Sequence, residues 1–174
     1  MTLKRALRSA LALTLALCFV LLCACSTPKV AMTVGGKEYS MADFLAYSWA
    51  TVSSAQQSDY TLLYMLYSYG AEALDMEYGT YGEGDAAQTV TLRQYLEYTT
   101  RDTIIRQKAI ENLMAKYGIS WDAEELKTVE EQLKVLTPDQ FISLGFNNER
   151  YINMYKAVSL NEMSLFDGVY NKGG

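Results

Sequence analysis

The chain has 174 residues, with 15 Lys and Arg against 20 Asp and Glu, a formal charge of −5 and no histidine. Its three cysteines, Cys18, Cys23 and Cys25, all lie within the first 25 residues. Ser-His-Asp triads, Cys-His pairs and zinc sites are therefore excluded beyond Cys25, and the acidic balance opposes nucleic-acid binding.

Residues 1–24 read as a signal peptide. Lys4, Arg5 and Arg8 precede an apolar run of about 15 residues from Ala10 to Ala24, short of the roughly 20 needed to cross a bilayer. Leu22-Cys23-Ala24-Cys25 resembles the bacterial lipobox. The resemblance implies that Cys25 is the lipidation site and mature N-terminus, that residues 25–29 are a lipidated tether, and that Cys18 and Cys23 depart with the signal. Two acyl chains hold a protein firmly where one holds it marginally. The expected location is thus the extracytoplasmic face of the cell membrane. Removing three positive and no negative charges would leave the mature chain at −8.

The domain is expected over residues 30–174. Gly35-Gly36 between Ala31–Val34 and Lys37–Tyr39 reads as a tight hairpin turn. Ser40 is a helix cap with Asp43 completing a capping box, opening a helix over 41–56 with Phe44, Leu45, Tyr47, Trp49 and Val52 on its apolar face. A second helix carries Leu63, Tyr64, Tyr67 and Ala71 at helical spacing and ends near Gly70 or runs on to Met76. The stretch "GTYGEGDAAQT" reads as a glycine-rich polar loop, and without a preceding apolar strand or a Gly-Lys-Ser/Thr it is no phosphate cradle. Thr91 caps the longest helix, which Gly118 ends. Ser120 caps the next, Thr137-Pro138 opens a short one that stops near Gly145, and Asn147 or Asn148 caps the last. The fold class is mainly α, five or six helices with one short N-terminal β-hairpin. No internal repeat is evident.

The acidic pairs Glu124-Glu125 and Glu130-Glu131 sit at helix-surface spacing with Lys127 and Lys134 nearby, which fits solvated ion pairs better than acid–base chemistry. No metal or cofactor site is expected. What stands out is 14 tyrosines and eight methionines. Tyr60, Tyr64, Tyr67, Tyr69, Tyr78 and Tyr81 crowd one region, where they either build the core or form a surface that grips apolar partners. These six are the candidate substrate-binding residues.

The order of signals resembles the SurA/PrsA-type foldases, a peptidyl-prolyl isomerase family. "VGGKEYSMADF" is similar to the strand–turn–strand–helix opening of their SurA N-terminal chaperone domain. "IRQKAIENLMAKYGISWDAEELKTVEEQL" is similar to its second landmark, and "TPDQFISLGFNNERYINMYKAVSLNEMSLFDGVY" to its closing helices. The likeness spans Val30 to Tyr170, and the tyrosine-rich stretch lengthens it. It implies a chaperone that holds unfolded or secreted polypeptides, with the histidine-containing parvulin domain absent from these residues. One alternative is the non-catalytic N-terminal part of an isomerase, to which the linker-like "YNKGG" leads. Another is a docking or structural envelope lipoprotein.

Overall fold

The computed structural model describes residues 30–171, without the side chains of residues 55–58. The expected signal peptide, tether and lipidation site at Cys25 lie outside the described residues.

Val30–Val34 (β1) and Lys37–Ser40 (β2) pair antiparallel around Gly35 and Gly36, whose φ angles of +56° and +79° explain why glycines stand there. Ser40 then caps Met41–Ser58 (α1). Its Oγ accepts from Asp43 N at 3.2 Å, while Asp43 Oδ2 accepts from Ser40 N at 2.8 Å.

The helix Tyr60–Tyr69 (α2) follows, ending at Gly70 and continuing as the 3₁₀ segment Gly70–Asp75. The glycine-rich stretch is not a loop. It forms a second antiparallel hairpin, Glu77–Tyr81 (β3) with Gln88–Thr91 (β4), turned by Gly82 to Ala87. Thr91 completes a capping box with Gln94 and opens the long helix Leu92–Tyr117 (α3), which Gly118 ends in the left-handed region at φ +65°.

The two hairpins are a structural repeat. In β1–β2 the partners are Val30 with Ser40, Met32 with Tyr39, Thr33 with Glu38 and Val34 with Lys37. In β3–β4 they are Glu77 with Thr91, Gly79 with Val90, Thr80 with Thr89 and Tyr81 with Gln88, so register and bulge are the same. Each second strand runs directly into a capped helix, and the burial patterns of the paired strands coincide. Along α1 and α3 the pairs Met41/Leu92, Phe44/Tyr95, Leu45/Leu96, Tyr47/Tyr98 and Ser48/Thr99 then fall in step. The two helices touch where Thr100 Oγ1 donates to Ser48 Oγ at 3.3 Å.

The C-terminal part closes this frame. Asp122, not Ser120, caps Ala123–Leu133 (α4), its carboxylate accepting from Glu124 N at 2.9 Å and Glu125 N at 3.2 Å. The helix expected from Thr137-Pro138 is reduced to turns and the 3₁₀ segment Ile142–Leu144, because Asp139 takes a left-handed φ of +56° and Phe141 is drawn into the core. Asn147 caps Asn148–Phe166 (α5), which ends in one wide π turn, Asp167–Asn171. The described residues are thus mainly α, with five α-helices and two hairpins.

Two cores result. The larger gathers Tyr39, Ala46, Tyr47, Ile104, Phe141, Phe146 and Met154. The smaller gathers Leu62, Met65, Ala73 and Leu92, with Leu66, Leu74, Tyr78 and Leu96 against it. Helix α3 belongs to both, giving Leu92 to the small core and Ile104 to the large one. Deeper along α3 a buried polar chain runs from Trp121 Nε1, which donates to Asn161 Oδ1 at 2.8 Å, through Asn161 Nδ2, which donates to Gln107 Oε1 at 2.8 Å. No helix of the described residues is long and apolar enough to cross a membrane.

Candidate functional site

Helix α2 is held at both ends. Asp59 caps it, accepting from Thr61 N at 2.9 Å and Leu62 N at 3.0 Å, and Gly70 at φ +57° terminates it. One face buries Leu62 and Met65 in the small core. The opposite stripe, at i, i+3, i+4 and i+7, leaves Tyr60 87%, Leu63 41%, Tyr64 63% and Tyr67 92% exposed. Tyr69 is also exposed and meets Tyr64 edge-on at 6.4 Å between centroids. A helix apolar on all sides is ordinarily covered on all sides. This one is covered on half.

Tyr78 and Tyr81 do something else. Residues three apart on a regular strand point to opposite faces, but the bulge between Glu77 and Gly79 brings both rings to the same helix. Tyr78 packs on Tyr95 at 4.6 Å, and Tyr81 on Tyr98 at 5.0 Å and on Tyr95 at 6.3 Å. Each is half-buried and has a carboxylate partner: Tyr78 Oη donates to Asp59, and Tyr81 Oη donates to Asp102. The Tyr78 bond, with the backbone bonds from Leu62 and Thr61, outweighs slight burial and holds the Asp59 carboxyl below its ordinary range. Burial, the bond to Asp102 and that carboxylate's charge push the Tyr81 phenol up to about 12. The six candidate tyrosines therefore divide into four exposed on α2 and two that fasten the small unit to α3.

Between the two cores lies an open groove of about 720 Å³, where an apolar groove of tyrosine and methionine was the expectation from composition. Met32, Met41, Phe44 and Leu45 form one wall, and Leu74 and Leu96 the other. Arg93, Glu97 and Arg101 edge it, Arg93 being paired with Asp75 at 3.0 Å and Arg101 with Glu97 at 4.0 Å. Methionine lines this groove as the composition suggests, but tyrosine does not. The only advance signal of its position was that Phe44 and Leu45 shared an apolar face.

Of the acidic pairs, Glu130 meets Lys156 at 2.6 Å and Glu131 meets Lys134 at 2.5 Å, whereas Glu124 and Glu125 stand at the start of α4 in no ion pair among the described residues. Among the described residues no group of three or more His, Cys, Asp or Glu is placed to hold a metal ion. The arrangement offers apolar surface bounded by charges, which is suited to binding a chain rather than to bond chemistry. No family model matches the sequence, and neither a curated protein nor a solved structure does.

Proposed function

We propose that the protein is a membrane-tethered extracytoplasmic folding helper of the SurA/PrsA type, whose helical domain holds exposed apolar segments of secreted polypeptides without ATP. The observation that carries this reading is the groove between the two cores. Its walls are methionine, phenylalanine and leucine, side chains that accommodate varied apolar segments, and it opens to solvent. Lipid attachment at Cys25 would keep this surface beside the membrane across which its clients arrive.

The test uses the full chain in zwitterionic lipid nanodiscs with an aggregation-prone, chemically unfolded client. Slower aggregation or slower client refolding is expected, weakened in Met41→Glu, which sets a charge at the half-exposed mouth of the groove. The absence of both effects overturns the reading. In cells, Cys25→Ala should move the protein out of the membrane fraction, and retention there would remove the tether from the proposal.

A further inference from the structure

The tyrosine stripe of α2 is separate from the groove, and the segment that carries it has one sign of charge. Between Asp59 and Leu92 stand six carboxylates, Asp59, Glu72, Asp75, Glu77, Glu83 and Asp85, and no lysine or arginine. Asp59 is engaged as the α2 cap and by Tyr78, and Asp75 is paired with Arg93. Glu72, Glu77, Glu83 and Asp85 are exposed and form no ion pair among the described residues.

Helix α2 itself has no charged side chain. It packs in one small core with the 3₁₀ segment and Tyr78, so its aromatic stripe belongs to a unit whose own charged side chains, from Asp59 to Leu92, are all carboxylates, while Arg93 and Arg101 of α3 edge the groove. Such a unit repels acidic chains and anionic bilayers alike. Ring faces and carboxylates attract the same ligand charge, since a guanidinium or ammonium over a tyrosine is favourable and a nearby carboxylate steers it there.

The geometry points to one occupant for this face: an apolar polypeptide segment bearing arginine or lysine, the composition that residues 4–24 of this same chain display. This names a client class and rests on the folding-helper reading. The groove takes apolar side chains, and the α2 face selects segments that carry positive charge beside them.

The experiment measures binding of a short labelled Leu/Ala peptide carrying arginines, and of the same peptide with glutamates or glutamines instead, to the full chain in zwitterionic nanodiscs, with empty discs subtracted. The arginine peptide should bind severalfold tighter than the glutamine peptide and lose that margin as salt rises. The double variant Tyr60→Ser, Tyr67→Ser should weaken the arginine peptide by about tenfold, as expected for two cation–π contacts, with no change in thermal midpoint because both rings are exposed. Equal affinity for arginine and glutamate peptides, or wild-type affinity in the double variant, overturns the inference. If the same preparation still slows client aggregation, only the charge selection falls. If it does not, the folding-helper reading falls with it.

Discussion

Arg150, in the first turn of α5, donates to the Asp43 carboxylate in the first turn of α1, joining helices whose partners are 107 positions apart. The same carboxylate accepts from Ser40, so one side chain both caps α1 and fixes α5 against it. Partial burial raises the Asp43 pKa, but the bonds from Ser40 and Arg150 outweigh it and hold the group below its ordinary 3.8.

Because the folded-state value is depressed, the stabilisation is complete above the ordinary value and is lost as pH falls through the folded one. Asp43→Asn should therefore be less stable than the wild type at neutral pH, by about 2 kcal/mol from the lost charged bond and weakened cap. The gap should narrow as the pH drops below the ordinary value. Urea midpoints across the acid limb measure it, and a gap that does not depend on pH would contradict the assignment.

The buried chain Trp121–Asn161–Gln107 predicts a sharper loss. Asn161→Ala removes one link but strands the Gln107 carbonyl and the Trp121 indole N–H, at a cost of about 3 kcal/mol. Adding Gln107→Met should recover part of that, since it removes one orphaned group. Chemical denaturation followed by tryptophan fluorescence gives both numbers. A double variant no more stable than Asn161→Ala would show that packing rather than hydrogen bonding dominates.

Two tyrosines with raised values, Tyr39 and Tyr81, predict alkaline behaviour. Burial, followed by the nearby Glu111 and Asp43 charges, pushes Tyr39 to about 12, and burial with the Asp102 partner does the same for Tyr81. A raised folded-state value contributes stability that is complete below the ordinary value of 10 and is lost as pH rises through about 12. Alkaline unfolding should begin in that window. Tyr81→Phe keeps the ring on Tyr95 and Tyr98, so it should cost about 1 kcal/mol, read most clearly as faster amide exchange in β3.

Gly82 turns the second hairpin at φ +95°, and a Cβ there would lie 2.7 Å from the Ala86 carbonyl oxygen. Gly82→Ala should destabilise the hairpin by about 2 kcal/mol or force its turn to rearrange. At Gly84, also left-handed but with open space around it, alanine meets only the conformational penalty. Amide exchange of β3 and β4 should separate the two variants.

The helix boundaries were largely legible because their signals are local. Ser40 with Asp43, Thr91, Gly118 and Asn147 each act through bonds within a few residues. Ser120 failed as a cap because the helix starts two residues later than expected, where the Asp122 carboxylate accepts from Glu124 N and Glu125 N. The second hairpin was hidden by its own turn chemistry: Gly79, Gly82 and Gly84 read as loop, while Tyr78, Tyr81 and Val90 supply its few inward contacts. The repeat escaped notice because its loops differ in length and its pairs, such as Phe44/Tyr95, are alike only in kind. The position of the groove could not be read. Met32, Phe44, Leu74 and Leu96 come from separate segments and meet only after both cores have formed.

That origin makes the walls of the groove mechanically unequal. Met32, Phe44 and Leu45 back onto the larger core, whereas Leu74 and Leu96 back onto one with four buried side chains. At about 2 kcal/mol for each large buried side chain, the smaller core is the less expensive to open. Because α3 runs through both, the small unit can loosen while the rest of the helix stays anchored. The groove has a firm jaw and a yielding one, so its width can adapt to a bulky segment without global unfolding.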